Sequence, residues 1–339
     1  MTGKERVLAA LAERPTDRLP CMPITMMFAA DTAGVSYREY ASHGERLARA
    51  QLLTAERYGF DYVSAISDPA REASDLGAAI EWFDHQPPAI IESRALLAEK
   101  SALARLRWPD VAAPGRMSDR IHAVRLLAGS AGADKIVEGW VEGPCAMSAD
   151  LRGLNTLMLD FYDDPEFVDR LTGFVVEMEI AFARAQIEAG ATLIGIGDAA
   201  ASLIGPKFYE RFVFAGECRL VRAIHEMGAL ARLHICGNTR RILKGMGATG
   251  ADIVDLDFLS PIHEARSAMG PRQMLLGNID PVRVLRDGTP ETIVTALAEC
   301  HRQAGPRYIV GAGCEVPRGT PPGNLMAMAR YAGQHRNSP

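Results

Sequence analysis

Apolar and polar positions along this chain follow two alternating periods. Short apolar runs, each closed by a polar residue, are separated by longer stretches with helical spacing. The apolar runs predict strands at Leu19–Phe28, Phe60–Ser67, Lys135–Val141, Ala191–Gly197, Ala229–Ile235, Ala251–Leu256, Gln273–Gly277 and Tyr308–Ala312. Helices are predicted over about Tyr37–Tyr58, Pro165–Ala189, Pro206–Met227 and Thr289–Gln303, with a last one starting near Pro322. Thr2 and Glu5 have capping-box spacing for an opening helix, which Pro15 ends. Eight strands, each followed by helix, is the count for a (β/α)8 TIM barrel. A chain of 339 residues fits one such domain. The stretch 69–134 is too long for one βα unit. It holds Gln86-Pro-Pro88, Trp108-Pro109 and Pro114-Gly115, and is expected to be an insertion over the barrel mouth. A doubly wound sheet would carry a Gly-rich fingerprint after its first strand, and none follows this one.

Composition removes several classes. Hydrophobic residues make up 48% and charged residues 23%, ordinary globular values that exclude disordered and fibrous readings. The net charge of −5 argues against a nucleic-acid partner, which would call for a basic surplus. No apolar run reaches the 18 residues of a membrane span, and the first residues do not read as a secretion signal. The six cysteines, at 21, 145, 218, 236, 300 and 314, are scattered, as expected for reduced thiols in the cytoplasm. Both a monomer and a homo-oligomer stay open.

The chemistry-bearing residues fall where the strands end. Asp68, Glu142, Asp198, His234, Cys236, Asp255, Asp257, Asn278, Asp280 and Cys314 are expected around one mouth, where barrel enzymes place their active sites. For any single Asp or Asn, a helix cap is an equally good reading. The sharpest signal is Leu233-His-Ile-Cys-Gly-Asn238. His234 and Cys236 are two apart at a strand end, so both side chains point the same way. Imidazole and thiolate are zinc's preferred donors, and this spacing can present two of them to one ion. Cys314, in Gly311-Ala-Gly-Cys314, ends the eighth strand at the same face and supplies a third donor. The competing reading is a buried core His and Cys, both common. Three protein ligands leave an open position, the pattern of a catalytic zinc, which Glu142 or Asp198 could fill in the absence of substrate. Cys21, Cys145, Cys218 and Cys300 lack metal-type neighbours and are not assigned as ligands.

The runs His234-Ile-Cys-Gly-Asn238, Gly277-Asn-Ile-Asp-Pro281 and Gly311-Ala-Gly-Cys314 with Pro317, Thr320-Pro321 and Asn324 resemble the uroporphyrinogen decarboxylase superfamily. More narrowly, they are similar to its corrinoid-dependent zinc methyltransferase branch. The opening Lys4-Glu-Arg-Val-Leu-Ala-Ala10 and Ile196-Gly-Asp-Ala-Ala-Ala-Ser202 extend the likeness over nearly the whole chain. The resemblance implies a TIM barrel, a zinc held by His234, Cys236 and Cys314, and methyl transfer to or from a cobalt corrinoid (cobalamin), carried on a partner protein or free. A small-molecule methyl donor or acceptor, a thiol or a methoxylated compound, completes the reaction. Glu142, Asp198 and Asp255 are then candidates for catalytic hydrogen bonds, and Asn238 and Asn278 for cofactor contacts. The superfamily's decarboxylases hold tetrapyrrole carboxylates with an arginine run near the N-terminus. Here the matching stretch, Met22-Pro-Ile-Thr-Met-Met-Phe-Ala-Ala30, has no arginine. A metal-free decarboxylase is thus the alternative, with a non-catalytic barrel as the third reading.

Overall fold

The structure, a computed structural model, describes residues 1–337. Among the described residues nine strands form: β1 (Tyr62–Ser64), β2 (Ile80–Glu81), β3 (Ala89–Ile90), β4 (Ile136–Glu142), β5 (Leu193–Gly197), β6 (Leu230–Ile235), β7 (Ile253–Leu256), β8 (Met274–Leu276) and β9 (Tyr308–Ile309). Seven of them make one sheet in the order β1-β4-β5-β6-β7-β8-β9, with every neighbouring pair parallel. β2 and β3 form a separate antiparallel hairpin. Helices fill the connections, as parallel pairing requires. They include Pro165–Glu188 before β5, Phe214–Glu226 before β6 and Pro290–Ala304 before β9.

The expected first strand is reduced to one bridge, Cys21 to Val310. Pro20 and Pro23 carry no N–H and cannot continue a ladder, and from Met27 the chain turns into the helix Met27–Ala33. Even so, this segment touches both edges of the sheet. Met22 N–H donates to Val310 O at 2.9 Å and Val310 N–H to Pro20 O at 2.9 Å, while Asp61 N–H donates to Cys21 O at 3.1 Å. Asp61, almost wholly buried, locks the seam by accepting from Cys21 N–H at 2.8 Å and from the guanidinium groups of Arg6 and Arg18.

The stretch 69–134 divides in two. Residues 69–115 carry a short helix at Arg71–Asp75, the β2–β3 hairpin and two 3-10 turns. The remainder is the helix Arg116–Ala131, which packs on the helix Gly44–Tyr58 and on β4 as the crossover between β1 and β4.

Alternate residues of the strands face the interior in layers. The lowest polar layer is an ion triad. Arg232 on β6 donates to Glu138 of β4 at 3.1 Å and to Asp255 of β7 at 2.6 Å, and all three side chains are buried. Two residues further along β4, the indole of Trp140 lies across Gly195 and Gly197 of β5. A Cβ at those positions would come within 2.2 Å and 2.8 Å of the ring, so only glycine fits.

Candidate metal centre

Period-two alternation carries the strand ends from the ion triad to the mouth. On β6, Arg232 lies in the triad, His234 comes next, and Cys236 follows the last strand residue. Cys314 enters from the loop after β9. His234 Nε2 stands 3.0 Å from Cys236 Sγ, and Cys236 Sγ stands 3.6 Å from Cys314 Sγ. One donor atom from each of the three lies within 4.8 Å of the others. Among the described residues this is the one cluster of His, Cys, Asp and Glu close enough to share an ion. A tetrahedral zinc with bonds of roughly 2.3 Å to sulfur and 2.0–2.1 Å to nitrogen separates its donors by about 3.6–3.8 Å. The trio already stands near that spacing.

Asp255 fixes the orientation of the histidine. Its Nδ1 lies 3.1 Å from Asp255 Oδ2 and 3.2 Å from Asp255 O, both acceptors. Nδ1 therefore carries the hydrogen, and the Nε2 lone pair points at the sulfurs. Burial opposes ionisation of Asp255, but Arg232 and His234 outweigh it and hold the carboxyl below its usual range. The hydrogen bond from Cys236 is the main cause that holds the Cys314 thiol well below its ordinary value, with His234 adding to it. Asp257 fixes the turn beyond the ligand by accepting from Gly237 N–H and Leu259 N–H, each at 2.8 Å. Removing the Asp255 carboxyl should cost roughly 10–100-fold in zinc affinity, as for other outer hydrogen-bond partners of zinc histidines. Competition of Asp255→Ala against a calibrated chelator measures it.

The trio opens into a cavity of about 140 Å³. Ile24, Met26, Ile66, Pro69, Trp140 and Ala199 supply its apolar wall, and Asp68, Glu142 and Glu315 its carboxyls. Glu142 accepts from Trp140 Nε1 at 3.1 Å. Burial, reinforced by the charges of Glu72 and Asp150, pushes its carboxyl well up. Burial likewise lifts Glu315 to about 8, although Met27 N–H donates to it. Asp68 is different. Burial works against its charge, but Arg116, at 2.7 Å, and Arg71 hold it low.

Other residues expected at the mouth are occupied elsewhere. Asp198 accepts from Ala146 N–H at 2.6 Å and Cys145 N–H at 3.3 Å, and so sits on the start of the helix Pro144–Arg152 rather than in the cavity. Burial raises its carboxyl to about 7. Asn278 donates to Asp257 O and Ser260 O, tying the loop after β7. Asn238 is exposed and accepts from Arg240 N–H, and Asp280 caps the helix Pro281–Arg286. Asp198→Ala should therefore lower stability by about 1 kcal/mol, as loss of a cap does, while leaving metal content unchanged. Urea unfolding beside elemental analysis reads both. Sequence reasoning passed over Arg232 and Glu315. Each had a signal: a charged residue two before His234 in an otherwise apolar strand, and an acid directly after Cys314.

The sequence profile described as "Uroporphyrinogen decarboxylase (URO-D)" matches residues 2–335. The chain belongs to the URO-D family. Among its URO-D relatives, the methylcobamide:CoM methyltransferase MtbA of Methanosarcina mazei is 30% identical, over 99% of this chain and 98% of its own. The uroporphyrinogen decarboxylase of Nocardia farcinica is 27% identical, over 74% of this chain and 70% of its own. A solved structure, a methyltransferase from Methanosarcina mazei, superposes with a TM-score of 0.84 at 22% identity, covering 98% of this chain and 99% of that one. The last likeness establishes the URO-D-like fold.

Proposed function

We propose that this chain is a zinc-dependent methyltransferase that moves a methyl group between a cobalt corrinoid and a small thiol or methoxylated substrate. The observation that carries the reading is the His234–Cys236–Cys314 trio, backed by Asp255 and opening into a largely apolar cavity. The full-length likeness to a methylcobamide:CoM methyltransferase supports it. The same reading takes the seam at Pro20–Met22 as the eighth stave of a closed (β/α)8 barrel, and the stretch 69–134 as an insertion over its mouth. It also takes the corrinoid to arrive from the mouth side, on a partner protein or free, in the cytoplasm.

His234, Cys236 and Cys314 would hold the zinc and leave a position open to substrate. Bound there, zinc supplies a Lewis acid that lowers the pKa of a thiol or stabilises a leaving oxygen. The chain's own residues do the rest. Asp255, braced by Arg232, fixes the imidazole and its tautomer. Ile24, Met26, Ile66 and Trp140 keep water from the reacting atoms. Glu142, held by the indole of Trp140, offers the substrate a hydrogen-bonding carboxyl inside the cavity. Positioning of acceptor and methyl carrier in line provides much of the remaining rate.

The decarboxylase alternative fits the cavity poorly. Among the described residues, those lining it include no arginine or lysine to pair tetrapyrrole carboxylates. The test is zinc analysis followed by an absorbance assay of methylcobalamin with small thiols. About one zinc per chain and thiol-dependent demethylation are expected. A zinc-loaded protein that transfers no methyl to or from any corrinoid, yet consumes uroporphyrinogen, would replace this reading with the alternative.

A further inference from the structure

The charge of the cavity wall narrows the substrate. Coenzyme M, named for the Methanosarcina mazei relative, is 2-mercaptoethanesulfonate, a thiol with a permanent anion two carbons from its sulfur. The cavity is small, about 140 Å³. A two-carbon thiol with its sulfur at the trio would have its far end among the side chains of the cavity wall. Ile24, Met26, Ile66 and Trp140 make that wall apolar, and Asp68, Glu142 and Glu315 give it its polar groups. All three are carboxyls. Arg116, which reaches the lining residue Asp68, is already committed to it by two hydrogen bonds, at 3.0 Å and 2.7 Å, and stacks on Trp82. A sulfonate or carboxylate there would be a desolvated anion with no basic side chain of the lining to pair it, whereas an ammonium would let the buried carboxyl of Glu142 ionise beside it.

We propose that this site selects against anionic substrates and takes a small molecule whose far end is uncharged or cationic. This rests on the reading above for the cavity being the substrate site. Glu142 is the residue that a cationic end would meet deep in the cavity, beside the indole face of Trp140. The anion-binding chemistry implied by the relative's name is thus not carried over in the wall, even though the metal trio is present.

Three thiols with the same two-carbon spacer separate the cases: coenzyme M, 2-mercaptoethanol and cysteamine. Their binding to the zinc-loaded, full-length protein is measured by titration calorimetry without any corrinoid. Mercaptoethanol and cysteamine should each bind at least tenfold more tightly than coenzyme M. In Glu142→Gln the cysteamine advantage over mercaptoethanol should shrink. Equal or tighter binding of coenzyme M, or no binding of any of the three, overturns the proposal. Methylcobalamin demethylation with the same thiols is run in parallel. Charge-ranked binding without methyl transfer would sink the enzymatic reading and leave the selectivity standing.

Discussion

Cys236→Ser and Cys314→Ser should each leave the folded protein nearly devoid of zinc and without methyl transfer. A serine hydroxyl is not deprotonated at neutral pH and is a poor zinc donor beside imidazole. The loss in affinity should exceed the roughly 100-fold upper figure for losing an outer hydrogen-bond partner. Both cysteines lie on loops just past strand ends and are partly exposed, so neither substitution opens a core cavity. Circular dichroism should be unchanged while elemental analysis falls from about one zinc per chain. A serine variant that keeps its zinc, or keeps its rate with methylcobalamin, would remove that cysteine from the site.

The second large effect lies beneath the site. Arg232→Met should destabilise the fold by about 3–5 kcal/mol, because removing one member of a buried ion cluster leaves its partners uncompensated. Here two carboxylates, Glu138 and Asp255, lose their shared cation at once. Arg232→Lys should recover part of the loss, since one ammonium cannot reproduce the guanidinium's separate contacts to two acids. Urea unfolding of the zinc-free protein measures both. A shift below 1 kcal/mol for Arg232→Met would show that the triad contributes little to stability.

The metal trio was legible because its two nearest members obey strand alternation. His234 and Cys236 share a face whatever surrounds them, and Cys314 lies in the loop that follows another strand of the same parallel set. The acidic residues were less legible. Asp198, Glu142 and Asp255 each sit near a strand end, yet one caps a helix, one lines the cavity and one braces the histidine. A carboxylate near a strand end has backbone amides, ligand and neighbouring side chains all within reach, and only the packing decides among them. The first strand was misjudged for a local reason. Its apolar residues are buried as expected, but its prolines leave it too few donors to pair over its length. Arg232 was hidden in plain view: a charge inside a strand reads as noise until its two acidic partners, on β4 and β7, are brought beside it.

The packing of Trp140 against Gly195 and Gly197 makes substrate size heritable in a simple way. The indole is one wall of the cavity, and its height is set by two glycines, of which Gly197 also lines the cavity. A methyl group at either glycine collides with the ring, so the wall stays where it is only while both remain glycine. A smaller side chain at position 140 lowers it and admits a longer guest. Neither position belongs to the His234–Cys236–Cys314 trio or to its brace on β7. Descendants of this chain could therefore exchange one methylated compound for another by single steps, while the apparatus that moves the methyl group is inherited intact.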